Sequence, residues 1–113
     1  RKQFGSSISD FGAIQEKISA MGTNIEASRH LIYNAALLKD LKKPFTKEAA
    51  MAKSFSSQTA MDAATDCVQI FGGYGYMQEY GVERLMRDAK ITQIYEGTTE
   101  IQKMVIAREL LEN

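Results

Sequence analysis

The sequence predicts an all-α fold, an antiparallel up-and-down four-helix bundle, on three observations. An apolar stripe with alternating spacings of three and four runs through the first third of the chain. The two long segments end at short stretches that carry Pro44 and Gly72-Gly73. No strand pattern of useful length occurs, and there are no internal repeats. Short connections and one-sided stripes make sequential helices antiparallel neighbours. At 113 residues the chain is one domain, residues 1–113.

The first helix is expected over about residues 10–40. Phe11, Ile14, Ile18, Met21, Ile25, Ser28, Ile32 and Ala35 form its stripe, with Ser28 small enough for a close helix contact. Ser9 or Asp10 is placed to cap its start, and the stretch from Lys39 to Pro44 ends it. Gly12 and Gly22 each cost helicity on the order of 1 kcal/mol relative to Ala, and otherwise allow close packing. The second helix is expected from an N-cap at Thr46, with Glu48 in its first turn, to a C-terminal cap at Gly72-Gly73. Its many Ala and Ser residues suggest close neighbours on more than one side. Gly72-Gly73-Tyr74-Gly75-Tyr76 reads as a helix–helix turn; no strand precedes it and no Lys-Ser/Thr follows, so it is no phosphate loop of the P-loop kind. A shorter helix is expected over 82–94, with Val82, Leu85, Met86, Ala89, Ile91 and Ile94 inward. A last helix is expected over about 98–112, carrying Ile101, Met104, Val105, Leu110 and Leu111.

Composition excludes several classes. Lys+Arg and Asp+Glu are both 14, so net charge favours neither nucleic acid nor an anionic membrane surface. Lys39, Lys42 and Lys43 are the local basic cluster and read as a helix C-terminus. Apolar runs are too short to span a bilayer. Cys67 is the single cysteine, expected as a buried thiol in a reducing compartment; His30 is the single histidine, so a His-based metal site or triad is unsupported.

The residue of greatest chemical interest is Glu96, in Ile94-Tyr95-Glu96-Gly97-Thr98-Thr99-Glu100-Ile101-Gln102. An apolar pair runs into it, Gly97 breaks any regular element, and Thr98 or Thr99 can cap a new helix. Glu96 is therefore expected at a joint between helices, beside an aromatic ring and near a helix N-terminus, partly desolvated and held in one orientation. A carboxylate base that takes a proton from carbon needs that setting. An acid decorating a helix terminus for electrostatic reasons alone has the same local pattern.

Several segments in register carry a resemblance. Gln69-Ile70-Phe71-Gly72-Gly73-Tyr74-Gly75-Tyr76 is followed by Glu79-Tyr80, Arg84-Leu85-Met86-Arg87-Asp88-Ala89-Lys90, Ile94-Tyr95-Glu96-Gly97-Thr98 and Ile106-Ala107-Arg108. Arg1-Lys2-Gln3-Phe4-Gly5 precedes them all. The chain resembles the C-terminal helical domain of acyl-CoA dehydrogenases over essentially its whole length. The N-terminal helical and middle β domains of such enzymes have no counterpart in it, so it resembles a domain of a longer enzyme.

The resemblance implies α,β-dehydrogenation of an acyl-CoA thioester with FAD as hydride acceptor, and Glu96 as the base. The base's own backbone N–H and a flavin ribityl hydroxyl are implied to hydrogen-bond the thioester carbonyl. Tyr95 and Gly97 are implied to line the substrate pocket. Arg1, Gln3, Phe4, Gln69 and Gly73 are implied to reach the FAD of a neighbouring subunit, and Thr98 and Glu100 the chain's own FAD. As a terminal residue, Arg1 has the alternative of staying disordered. The resemblance further implies a homo-oligomer (dimer or tetramer), electron-transfer flavoprotein as electron acceptor, and a bacterial cytoplasmic location, or the mitochondrial matrix in a eukaryote. A fragment of this kind alone is expected to be inactive. The alternative function is a non-catalytic helical assembly domain derived from the same family.

Overall fold

The computed structural model describes residues 1–112. Its helices are α1 (Gly12–Asp40), α2 (Thr46–Phe71), α3 (Gly73–Tyr76), α4 (Val82–Ile91) and α5 (Thr99–Leu111). The all-α expectation holds. A two-stranded hairpin of β1 (Lys2–Gln3) and β2 (Ser6–Ser7) precedes α1, pairing Lys2 with Ser7 and Gln3 with Ser6. No sequence signal flagged that hairpin, because strands of two residues are too short for a period-two pattern. Short 3₁₀ turns at Ile8–Asp10 and Gln78–Tyr80 complete the backbone.

Helix α2 is the hub. Helix α1 packs along it, and α4 and α5 pack chiefly on α2 as well. The α1–α2 pair is antiparallel. Lys17 pairs with Asp66 at 3.6 Å, and the Cys67 thiol lies 3.9 Å from the Met21 sulfur. Farther along, Leu31 and Phe55 line one cavity. A hub needs neighbours on several sides, and the small residues of α2 provide them: Ala50, Ala52, Ser57 and Thr59 are all buried.

The α1 stripe divides into two rows. Met21, Ser28 and Ala35 pack inward, and the Ser28 hydroxyl donates to the Asn24 carbonyl at 2.8 Å. Ile18, Ile25 and Ile32 are 49%, 45% and 44% exposed. A single partner helix covers only one row. The same correction applies to the 82–94 segment. Val82, Met86 and Ala89 of α4 pack, but Leu85, Ile91 and Ile94 are exposed. On α5, Val105 and Ile106 are half-buried, whereas Ile101, Met104, Leu110 and Leu111 face outward.

Local expectations at two helix starts also change. Phe11 and Phe45, not Ser9, Asp10 or Thr46, occupy the N-cap positions of α1 and α2, and neither helix has a side-chain cap. Gly12 and Gly22 face open space among the described residues, so close packing does not explain them. Cys67 is half-buried rather than buried.

The molecule measures 57 × 25 × 25 Å, with a radius of gyration of 17.3 Å. A compact domain of this length has about 13 Å. Its accessible surface is 8000 Å², against roughly 6,200 Å² for a compact monomer of this mass. Among the described residues no large side chain is fully buried. The helices are well formed, but their apolar faces outnumber the partners available within the chain.

Candidate active site

The joint between α4 and α5 carries Glu96. The N–H groups of Ile94 and Tyr95 both bond the Ile91 carbonyl at 3.0 Å, drawing the end of α4 into a tight turn. Glu96 then has φ +54° and Gly97 φ +96°. Two consecutive left-handed residues reverse the chain into α5. For Gly97 this is cheap, whereas for Glu96 it costs roughly 1–2 kcal/mol. A non-glycine residue persists there only when its surroundings over-determine it.

Those surroundings are side chains from α2, from α5 and from the joint itself. Lys53, in the first third of α2, donates from Nζ to the Gly97 carbonyl at 2.6 Å and to the Thr92 carbonyl at 3.2 Å. Gln102 Nε2 of α5 donates to the Glu96 and Gly97 carbonyls, each at 3.3 Å. Gln93 Nε2 donates to Gln58 Oε1 of α2 at 2.8 Å. The Thr99 N–H closes the turn on the Gln93 carbonyl at 3.0 Å. Thr98 is the N-cap of α5: its hydroxyl oxygen accepts the Ile101 N–H at 3.3 Å.

Glu96 thus sits as expected between two helices, after Tyr95 and just before the N-terminus of α5. The expected desolvation is not present within this chain, because Glu96 and Tyr95 are both exposed. Apolar walls must come from elsewhere if the carboxylate is to be dry. Among the described residues no acceptor takes the Glu96 N–H. Thr98 and Glu100 border a polar recess of about 390 Å³ that also includes Lys90, Gln93 and Lys103.

The remaining candidates lie at the other end of α2. The Arg1 guanidinium donates to the Phe71 carbonyl at 2.7 Å and lies 6.0 Å from the Tyr74 ring centroid. Arg1 is therefore ordered against the Gly72 turn rather than free. Gln3 and the exposed Phe4 are on the adjoining hairpin, and Gln69 and Gly73 are exposed at the end of α2 and the start of α3. A cavity of about 340 Å³ opens among Arg1, Ile8, Ile70, Tyr74 and Tyr80. The sequence candidates form two clusters. Lys53 and Phe71, which mark them along α2, are about 27 Å apart at the helical rise.

Sequence reasoning missed Lys53, Gln102, Gln58 and Gln93. A signal existed for Lys53: it is a lone cation among buried Ala50, Ala52 and Ser57, on a face that otherwise selects small residues. The amides carried no signal. Among the described residues no group of three or more His, Cys, Asp or Glu side chains could hold a metal ion.

The family model described as acyl-CoA dehydrogenase, C-terminal domain, matches residues 1–111, and the chain belongs to that family. It is 55% identical over 111 residues to an acyl-CoA dehydrogenase of Bacillus subtilis, covering 98% of this chain and 29% of that protein. It is 52% identical, with the same coverage, to a subunit of a caffeyl-CoA reductase–Etf complex from Acetobacterium woodii. The structure of butyryl-CoA dehydrogenase from Megasphaera elsdenii superposes with a TM-score of 0.96 at 55% identity, over 98% of this chain and 29% of that one. The chain thus spans under a third of the length of its relatives.

Proposed function

We propose that this chain is the base-bearing and oligomerising domain of a longer acyl-CoA dehydrogenase, with Glu96 as the base. The observation that carries the reading is the conformation of Glu96: a strained, left-handed glutamate held by two side-chain clamps, with its own N–H free to donate. A helix-terminus ornament needs no such arrangement.

In this reading the Glu96 carboxylate accepts the α-proton of the thioester, and the electrons of that C–H bond become the Cα=Cβ bond. The Glu96 N–H donates to the thioester carbonyl, whose oxygen gains charge as the proton leaves. The chemistry that bound FAD would supply is that of an acceptor for the β-hydrogen as hydride. Tyr95 and Gly97 form one wall of the acyl site. Water exclusion falls to the parts of the protein beyond this chain.

The residues present suit FAD. The recess at the α5 N-terminus combines the Lys90 and Lys103 ammonium groups with the Glu100 N–H, donors that suit a phosphate. Thr98 and Glu100 lie there; the acceptor-only Glu100 suits a sugar hydroxyl rather than a phosphate. At the far end, the Arg1 guanidinium beside the rings of Tyr74 and Tyr80 suits pyrophosphate and a planar base. With Gln3, Phe4, Gln69 and Gly73 it would serve a neighbouring subunit's FAD.

Assembly as a dimer or tetramer is supported by an excess of roughly 1,800 Å² of surface and by the exposed Ile18, Ile25 and Ile32 row. Light scattering of the full-length protein is expected to read a dimer or tetramer; a monomer would overturn this part. Electron-transfer flavoprotein is the proposed electron partner, as the name of the Acetobacterium relative suggests. The relatives named above come from bacteria, so a bacterial cytoplasm is the proposed location. Among the described residues no helix is long and apolar enough to cross a membrane.

Glu96→Gln in the full-length protein tests the reading. Size and most hydrogen bonding are kept while the proton acceptor is lost. Flavin should stay bound, and flavin bleaching by acyl-CoA on rapid mixing should slow by more than the ~10²–10⁴-fold typical of a positioned base, because a dry pocket offers no substitute. Glu96→Asp should keep partial activity. Bleaching at the wild-type rate in the Gln variant would leave the non-catalytic assembly domain as the surviving reading.

A further inference from the structure

We propose that Lys53 is the positioning residue for the base: its ammonium holds the α4–α5 joint in the conformation that aims Glu96. This rests on the reading of Glu96 as the base.

Lys53 lies on the small-residue face of α2, where Ala50, Ala52 and Ser57 are buried, and its stem is half-buried. A lysine survives there when its stem packs and its head finds acceptors. Both acceptors are main-chain carbonyls of the joint. Thr92 directly follows α4, so its carbonyl is an orphan of the helix C-terminus, where a cation is favoured. Gly97 directly follows Glu96. The two carbonyls bracket residues 93–96, so one ammonium ties both feet of the turn to α2. None of the four ion pairs found among the described residues involves Lys53. Its charge is met by carbonyl dipoles.

Two features make Lys53 the principal clamp. Its bond to Gly97 is charge-assisted and short at 2.6 Å, whereas both Gln102 bonds are neutral and 3.3 Å long. Gln102 also belongs to α5 and moves with the joint. Lys53 alone of these two anchors the joint to the hub helix.

The test uses the full-length holoprotein. Lys53→Met keeps the stem and removes every donor. Rapid mixing is expected to show flavin bleaching slowed about 10–100-fold, the effect of a misplacement near 1 Å, with acyl-CoA affinity changed less than about threefold. Backbone hydrogen exchange should speed up about tenfold at residues 94–99, including the Thr99 amide that bonds Gln93, and stay unchanged along α1. In a Glu96→Gln background, adding Lys53→Met should slow bleaching no further, since a positioning residue has nothing left to aim. Lys53→Arg, which keeps a cation and donors, should recover part of the loss. Should Lys53→Met fail to fold, Lys53→Gln drops the charge, keeps a donor, and carries the same expectations. Independent, multiplicative losses in the double variant, or unchanged exchange at 94–99, would overturn the positioning role. A wild-type rate in Lys53→Met beside an inactive Glu96→Gln overturns this inference alone; a wild-type rate in Glu96→Gln overturns the base reading itself.

Discussion

Two joints of this molecule use similar residues and hold their shape by different means. Gly72-Gly73-Tyr74-Gly75 and Tyr95-Glu96-Gly97-Thr98 both turn the chain between helices with a tyrosine and a positive-φ residue. The first is held chiefly by main-chain close packing. Gly75 is buried against α2, where a methyl group would lie 2.6 Å from the Val68 carbonyl oxygen and 2.9 Å from the Phe71 Cβ. The second is held by side chains from afar. Lys53 is 44 residues from Gly97, and Gln58 is 35 from Gln93. A joint built of backbone contact tolerates no added atom, and its one distant donor, Arg1, bonds the carbonyl of Phe71 at the end of α2 rather than the turn that follows. A joint that must aim one side chain cannot be all glycine, so it borrows its rigidity from neighbouring helices.

The largest stability effect should follow from adding a single methyl to the first joint. Gly75→Ala meets fixed backbone and is expected to cost about 2–3 kcal/mol, read from the denaturant midpoint of the full-length protein. Gly97→Ala should cost less, about 1–2 kcal/mol. Its φ of +96° disfavours a side chain, but the nearest obstacle, 2.5 Å away, is the end of the Gln102 side chain, which can swing aside. A larger loss at Gly97 than at Gly75 would reverse the contrast. Thr98→Ala removes the α5 cap and should cost about 1 kcal/mol. Thr99→Ala, whose hydroxyl makes only a 3.4 Å bond to the Gln93 carbonyl, should cost less; equal losses would mean that the two hydroxyls share the work. The smallest effect has the opposite sign. Gly22→Ala lies mid-helix, exposed, away from both joints, and should raise stability by about 0.5–1 kcal/mol. Destabilisation would reveal a neighbour on that face in the assembled protein.

The contrast also marks what the residues disclose in advance. Helix existence was legible, because apolar periodicity and punctuation are local. The position of Glu96 at a joint was legible for the same reason: Gly97 and Thr98 are neighbours in sequence. Which half of the α1 stripe packs was not. A stripe reports that side chains such as Ile18 and Ile25 suit an apolar contact, not whether one partner helix is wide enough to cover both rows. Leu85 and Ile91 were misread in the same way. Caps at Ser9 and Thr46 were misplaced because an aromatic at the N-cap position leaves the first N–H groups without a side-chain acceptor, a choice that propensity disfavours. Lys53 and Gln102 escaped notice since their acceptors are main-chain carbonyls, which no residue type reveals.

Helix α2 passes beneath both joints, holding Thr92 and Gly97 through Lys53 in its first third and ending at the Gly72 turn. It is therefore a ruler with a phase as well as a length. Each residue of a helix contributes about 1.5 Å and 100°. Inserting one residue between Gln58 and Gln69 would leave every contact type available, yet rotate one joint about the α2 axis by about 100° relative to the other. Removing seven would nearly restore the angle, to within about 20°, and bring the joints closer by about 10 Å. Length variation in this stretch is thus constrained to near-whole turns, and even those alter the spacing between the two ends.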